Sequence, residues 1–329
     1  MTVKKALYSQ IGDPALVLAL KNAEPTALAA DQVRIKVLRS PINPADLMQI
    51  SGTYPLHLSL PAVAGSEGIG RISERGSGVA GLKVGQLVQL PGGTGCWQSE
   101  TVVSARGLTP LPDADLDQLS MITINPPTAF LLLSDIKELS PGDWILQNAG
   151  NSAVSRYVIQ LAKMRGIKTV SVVRRTDVVA ELETLGGDVV LLDGDDLAAR
   201  VSKATGGAVI GLGFDAVGGT ASGRLATCLG RGGTLVSYGA MSGEPVQISQ
   251  MSTIANDVTL RGFWLAPWFC VSTPARCKEV FCEILALIVA GELSVPVDQV
   301  FALEDLDQAL ARASQGGRNG KVLLAPNGV

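Results

Sequence analysis

Residues 144–154, WILQNAGNSAV, constrain this chain more than any other stretch. A short apolar strand breaks into small residues and runs directly into a helical pattern over 157–162. Small residues at such a turn let backbone come close to a ligand. The helix start then offers amide groups and the positive end of a dipole to phosphate charge. About twenty residues further on, where a dinucleotide fold reads the adenosine ribose, a second apolar strand over 169–173 ends in Arg174 and Arg175. An acidic residue is expected there when the ribose 2′-hydroxyl is bound; two arginines suit a 2′-phosphate instead. The reading is a dinucleotide site that prefers NADPH. Glycine spacing contributes little to it, because Asn148, Gly150, Ala153 and Ser155 occupy the region and only one is glycine. The order strand, turn, helix, strand, charged terminus carries it. A solvated helix start is the plain alternative for the two arginines, but a helix N-terminus disfavours cations, which favours an anionic partner.

At 329 residues, 47% hydrophobic and 17% charged, the chain has material for two domains or one large α/β unit. A net charge of −3 without a basic stripe speaks against nucleic acid as a partner. No apolar signal-type run opens the sequence. The longest apolar runs are broken by Gly, Pro or charge well short of a membrane span. A soluble cytoplasmic protein without membrane association is expected. Cys96, Cys228, Cys270, Cys277 and Cys282 form no C-x-x-C pair, so neither a disulfide framework nor a metal site is expected. The single histidine, His57, stands among leucines near prolines and reads as a loop or pocket-wall residue.

Residues 1–120 read as β-rich. Period-two alternation runs over 33–39, and short strands follow at 68–74, 87–90 and 100–103. Over 121–262 strands and helices alternate, with strands ending near Asn148, Val173, Asp193, Val217 and Tyr238 and helices at 120–134, 155–165, 178–185 and 219–229. Such a βαβ series implies a doubly wound parallel sheet of Rossmann type, with ligands beyond the carboxyl ends of the strands. Residues 263–329 hold an amphipathic helix (275–290), a strand (299–303), a helix begun at Glu304 and a last strand (320–324). This tail is expected to return to the first domain. The expected fold class is therefore α/β: a Rossmann domain plus a β-rich domain.

With these segments placed, the chain resembles the medium-chain dehydrogenase/reductase superfamily over essentially its full length. Within it the chain is most similar to the zinc-independent enoyl thioester reductases (trans-2-enoyl-CoA/ACP reductases), with the quinone oxidoreductases as the near branch. The resemblance rests on segments 42–47, 52–54, 60–68, 125–129, 147–154, 238–241 and 262–265. It implies a GroES-like catalytic domain at 1–120, rejoined by 263–329, around an NADPH-binding Rossmann domain at 121–262. It implies that Asn125, Asn151, Ser152, Ala153, Val154, Arg174, Arg175, Thr176, Tyr238, Gly239, Ala240, Met241, Phe263, Trp264, Leu265 and Lys321 contact the cofactor and that Tyr54 is catalytic. Ala153 and Ser155 depart from the glycines usual there, and Thr176 replaces what is often a further polar or basic contact. The superfamily's zinc enzymes carry a Cys at or near Asp46 and a His at Ser66; this chain does not.

The chemistry so implied is hydride transfer to the β-carbon of an α,β-unsaturated acyl thioester, with charge building on the thioester oxygen and a proton added at the α-carbon. That calls for positioning and for hydrogen-bond donors where charge develops. A phenol with pKa near 10 is protonated at neutral pH and can serve. Loop filler is the other reading of Tyr54. Trp97 is a candidate wall of the cleft, with a core aromatic as the favoured reading; Cys96 is a candidate thiol near the cleft, with nothing in the sequence to lower its pKa; and Glu67 is a structural acceptor beneath the site. Quinone or enone reduction, or NADPH binding without turnover, remain alternatives. The family further implies a homodimer joined through an edge strand, for which 246–260 is the candidate. A charge-assisted hydrogen bond is worth roughly 1.5–3 kcal/mol. Replacing Arg174 and Arg175 together with Ala should therefore narrow the NADPH-over-NADH preference by about ten- to hundred-fold, read from the two dissociation constants. An unchanged ratio would remove both arginines from cofactor selection.

Overall fold

In the computed structural model, residues 2–56 and 58–328 are described; His57 lies outside them. The chain divides into one unit of residues 1–123 with 294–329 and another of 124–293.

The first unit begins with β1 (Val3–Tyr8), α1 (Pro14–Val17), β2 (Leu18–Ala23), β3 (Gln32–Pro41), α2 (Pro44–Ser51), β4 (Ala62–Val63), β5 (Ile69–Arg75), β6 (Leu87–Gln89), β7 (Glu100–Ser104) and α3 (Leu116–Leu119). The alternation over 33–39 forms β3 as expected. Its inward residues Val33, Ile35 and Val37 are fully buried, because successive side chains of a strand face opposite sides. β3 lies at the centre, paired antiparallel with β5 and β7.

The second unit holds α4 (Asn125–Ser134), β8 (Trp144–Gln147), α5 (Ala153–Met164), β9 (Lys168–Val173), α6 (Val179–Leu185), β10 (Val189–Leu192), α7 (Leu197–Ala204), β11 (Ile210–Asp215), α8 (Gly219–Thr227), β12 (Thr234–Ser237), β13 (Thr259–Gly262), α9 (Leu265–Val271) and α10 (Pro274–Val289). Its six strands are all parallel, in the order β10-β9-β8-β11-β12-β13. Strand order reverses at β8 and β11. In doubly wound sheets that reversal opens a crevice beyond the carboxyl ends. Parallel strands are covered on both faces, so they read as continuous apolar runs. Leu146, Val170, Val172, Ile210 and Leu235 accordingly share one buried cluster.

The chain then closes the first unit with β14 (Val297–Ala302) and α11 (Leu306–Ser314). Last comes β15 (Lys321–Ala325), which inserts between β14, in parallel, and β3, antiparallel.

Four boundaries differ from expectation. The return to the first unit comes at Ser294, not at 263. α10 buries Val280, Ile284 and Ile288 and packs against α4, while Arg276 and the Trp268 indole both donate to Asp135 at 3.0 Å. The helix expected over 120–134 begins only at Asn125, because Pro126 and Pro127 lack amide hydrogens and are tolerated only in the first turn of α4. α7 was not expected, although it is amphipathic and buries Leu197 and Val201. Of the expected strand over 246–260, only residues from Thr259 pair, as β13 on the sheet edge, and 251–255 form a π-helical turn.

One carboxylate ties the two strand ends at the reversal point together. Asp215, fully buried at the end of β11, accepts from Asn148 Nδ2 (2.6 Å), the Val217 and Gly218 amides (3.0 and 3.1 Å) and Ser222 Oγ (2.6 Å). Asn148 Oδ1 accepts in turn from the Ala216 amide at 2.8 Å. Buried donors left unpaired cost about 1–3 kcal/mol each. Asp215→Ala should lower unfolding free energy by about 3 kcal/mol or more in urea titration, and a loss under about 1 kcal/mol would show that the turns hold themselves.

Candidate active site

The second unit gathers most of the expected cofactor residues along one edge of its sheet. Ser152 caps α5, its hydroxyl accepting from the Ser155 amide at 3.3 Å. The amides of Ala153 and Val154, in the first turn, have no carbonyl one turn earlier to donate to. Gly150 is the glycine this turn cannot replace. A Cβ there would come within 3.0–3.3 Å of Ser171, Val173 and the Val172 carbonyl, where the turn crosses β9. The left-handed conformation falls instead on Ala149, at φ 47°. Asn151 lies in the turn itself, and its carbonyl accepts from the buried Arg156, which also pairs with Glu181 at 2.6 Å.

Arg174, Arg175 and Thr176 follow directly after β9. Arg174 and Thr176 are exposed, and Arg175 pairs with Asp177 at 3.2 Å. After β12 come Tyr238, Gly239, Ala240 and Met241. The Tyr238 and Met241 amides bond back to the carbonyls of Asp215 and Ala216. A Cβ on Gly239 would meet the Ala216 carbonyl oxygen at 2.8 Å. Burial pushes the Tyr238 phenol up to about 12, partly offset by the Ser155 and Ser152 hydroxyls beside it. Its hydroxyl has no hydrogen bond of normal geometry among the described residues. After β13, the Phe263 amide bonds to the Ser237 carbonyl and Trp264 caps α9 with its ring part exposed. Leu265 opens α9, and Asn125 opens α4, buried. Free helix-start amides, a cradle that a side chain would fill and an unsatisfied buried hydroxyl together fit a dinucleotide.

Tyr54 and Lys321 belong to the first unit. α2 ends in Gly52, at φ 79°, and the amides of Thr53 and Tyr54 both bond to the Met48 carbonyl at 2.9 and 3.1 Å. Tyr54 is half-buried just beyond. Lys321 is buried, donating to the Ile42 carbonyl at 3.2 Å and to Asn43 Oδ1. Burial lowers its ammonium to about 8, opposed by Glu67 and Asp46. Glu67 does act as a structural acceptor, as expected. It takes Asn43 Nδ2 (2.8 Å), Thr123 Oγ1 (2.7 Å) and the Thr123 amide (3.2 Å).

Two candidates are ruled out. Trp97 does not wall a cleft: it is fully buried in the core of the first unit with Ile42, Ile50 and Leu324. Cys96 is fully buried beside Asp46 and Glu67, and burial pushes its thiol well above the ordinary value, away from reactivity. The Asn148–Asp215 tie, the Arg156–Glu181 pair and the Asn43–Lys321 bond were missed. Each joins residues far apart in sequence, and a buried polar residue announces its partner only in three dimensions.

The residues do not suit a catalytic zinc. Asp46, at the expected ligand position, has both oxygens engaged: Oδ2 accepts from the Asn43 amide at 2.8 Å, Oδ1 from the Ser66 amide at 2.8 Å and also from Ser66 Oγ. Ser66 stands where a histidine would be needed. Among the described residues no three His, Cys, Asp or Glu side chains gather as a metal-holding group, and no helix is long and apolar enough to cross a membrane.

Two family models match: an alcohol dehydrogenase GroES-like domain over residues 29–113, and a zinc-binding dehydrogenase over 153–283. The mitochondrial enoyl-[acyl-carrier-protein] reductase of Rattus norvegicus is 39% identical over 94% of this chain and 84% of its own length. That of Dictyostelium discoideum is also 39% identical, over 98% and 95%. Among solved structures, the Etr1p/NADP/crotonyl-CoA complex superposes with a TM-score of 0.87 at 28% identity, covering 99% of this chain and 100% of that one. A putative NADPH:quinone reductase from Bacillus thuringiensis gives 0.88 at 27%, covering 99% of both. Over nearly its whole length, then, this chain belongs to the medium-chain dehydrogenase/reductase superfamily, in its enoyl thioester reductase group.

Proposed function

We infer that the protein is an NADPH-dependent reductase of the carbon–carbon double bond of α,β-unsaturated acyl thioesters. The observation that carries this is full-length similarity to enoyl-[acyl-carrier-protein] reductases, joined to a dinucleotide edge whose second strand ends in two arginines. NADPH, when bound, supplies the hydride that reaches the β-carbon. The protein's own groups do the rest. The amides of Ala153 and Val154, with Asn151 and Ser152, receive the pyrophosphate at the start of α5. Arg174, Arg175 and Thr176 hold the 2′-phosphate; Arg175 exchanges its Asp177 partner for it. Tyr238, Gly239, Ala240, Met241, Phe263, Trp264 and Leu265 flank the nicotinamide half, with Asn125 and Lys321 as further polar contacts. Tyr54 donates a hydrogen bond to the thioester oxygen as negative charge develops and holds the proton needed at the α-carbon.

The acyl thioester reading is preferred over a quinone because the relatives with the higher identity are enoyl reductases, and the quinone reductase neighbour reaches 27%. A homodimer is part of the proposal. Among the described residues β13 is an edge strand with one side unpaired and all four of its residues exposed, a template for pairing with a second copy. Sedimentation should give twice the chain mass, and a concentration-independent monomer would end that part. A cytoplasmic location also stays a proposal. It rests on the sequence alone, the relatives are named mitochondrial, and subcellular fractionation separates the two.

NADPH oxidation with a medium-chain trans-2-enoyl-CoA, beside a simple quinone under the same conditions, tests the activity; the enoyl-CoA is expected to turn over faster. Preference for the quinone would move the function to the neighbouring branch. Tyr54→Phe should lower turnover at least about tenfold, the scale of one general acid, with NADPH affinity unchanged. Near-normal turnover would remove Tyr54 from the chemistry.

A further inference from the structure

Lys321 on β15 is the centre of a buried polar assembly within the first unit that the proposed chemistry does not use in full. Its ammonium donates to Asn43 Oδ1, and Asn43 Nδ2 donates to Glu67 Oε1 at 2.8 Å. The Asn43 amide is thus polarised between a cation and a carboxylate, which strengthens both of its bonds. Glu67 is anchored on its other oxygen by Thr123. Asn43 caps α2, and its backbone amide donates to Asp46 Oδ2 at 2.8 Å. Asp46 crosses on to Ser66. One end of α2 is therefore bound to three separate chain segments, through side chains that are almost completely buried. The other end carries Tyr54, tied back to the Met48 carbonyl. A helix of this length spans roughly 12 Å and transmits tilt stiffly from one end to the other.

We propose that the Lys321–Asn43–Glu67 relay is a positioning device for the reaction, clamping the start of α2 so that Tyr54 at its far end is held on aim. The inference rests on the reading of Tyr54 given above. Lys321 is then a positioning residue whose charge matters, separately from any contact with the cofactor.

The charged and titratable groups around the relay are Glu67, Asp46 and Arg318 facing Lys321, and the Tyr8 phenol and Cys96 thiol facing the carboxylates. Burial raises Glu67 and Asp46, and burial, with Asp46 nearby, raises Tyr8 and Cys96 as well. The two neutral groups thus stay neutral, and the ammonium is the member that titrates on the alkaline side, near about 8. Its loss removes the charge assistance from the bond to Asn43 Oδ1 and so slackens the clamp. Removing an anion from beside it makes the neutral amine easier to reach, so the alkaline fall of activity should start at lower pH.

The test is the pH profile of kcat for a trans-2-enoyl-CoA in the parent protein, Glu67→Gln, Tyr54→Phe and the double variant Glu67→Gln/Lys321→Met. NADPH affinity by nucleotide fluorescence and thermal unfolding are measured on each. The double variant removes both ions, so it leaves neither uncompensated and stays folded if a single variant does not. Glu67→Gln should lower kcat by about tenfold, a change worth 1.4 kcal/mol. Its NADPH affinity should stay within about twofold, and its alkaline fall should move to lower pH. In the double variant the fall near about 8 should be absent. Profiles that superimpose on the parent's would overturn the proposal, as would a loss confined to NADPH affinity. If Tyr54→Phe turns over normally, the proposal falls for the other reason, because the helix then aims nothing, and an alkaline shift in Glu67→Gln would still be visible to tell the two failures apart.

Discussion

Parallel pairing between β8 and β11 is the constraint on which the nucleotide unit depends. Parallel strands cannot be joined by a tight turn, so each needs a helical crossover, and crossovers run to either side of the starting strand. At the point where they part, two turns stand side by side. Those turns also have to be kept from collapsing into each other. Asp215 does this by accepting four hydrogen bonds at once, one from the Asn148 side chain across the gap, two from its own turn and one from Ser222 in α8. The carboxylate lies beneath the ligand edge, so the edge is shaped before any ligand arrives.

The first unit solves a different problem. On the proposed role of Tyr54, it has to place one polar side chain from a loop, and loops are poor at precision. Its answer is a short helix whose start is anchored by buried charge. Buried ions are costly, and this unit has several within reach of one another. They are accommodated by sharing a small number of neutral intermediaries: one asparagine, one serine and one threonine.

Much of this was legible in the sequence, for reasons that can be named. β3 was readable because one face is wet and the other dry. The nucleotide edge was readable because a strand followed by small residues and a helix start is a local pattern. Tyr54 was reached through resemblance, since a phenol in a loop has no periodicity to betray it. What failed was non-local. Trp97 is a candidate cleft aromatic in sequence and is core in fact, because residues of β1, α2, β14 and β15 close over it. The return point was misplaced by a helix, α10, whose partner α4 lies well over a hundred residues earlier in the chain. Lys321 was expected at the cofactor from resemblance, and its place in the buried network shows only once β15 is seen to lie between β14 and β3.

That placement of β15 has a consequence for how the chain acquires its shape. The nucleotide unit is one uninterrupted stretch, 124–293, and has everything it needs as soon as that stretch has been synthesised. The other unit does not. Its central strand β3 is made early and is paired over most of its length by β5 and β7, but β15, which pairs its last residues Ser40 and Pro41, follows the entire second unit in chain order. During synthesis the end of β3 at Ser40 and Pro41 therefore waits without its strand partner while an intervening domain folds. The strand that covers it also delivers the lysine that locks α2, so the unit gains its last sheet partner and its internal counter-ion in a single event.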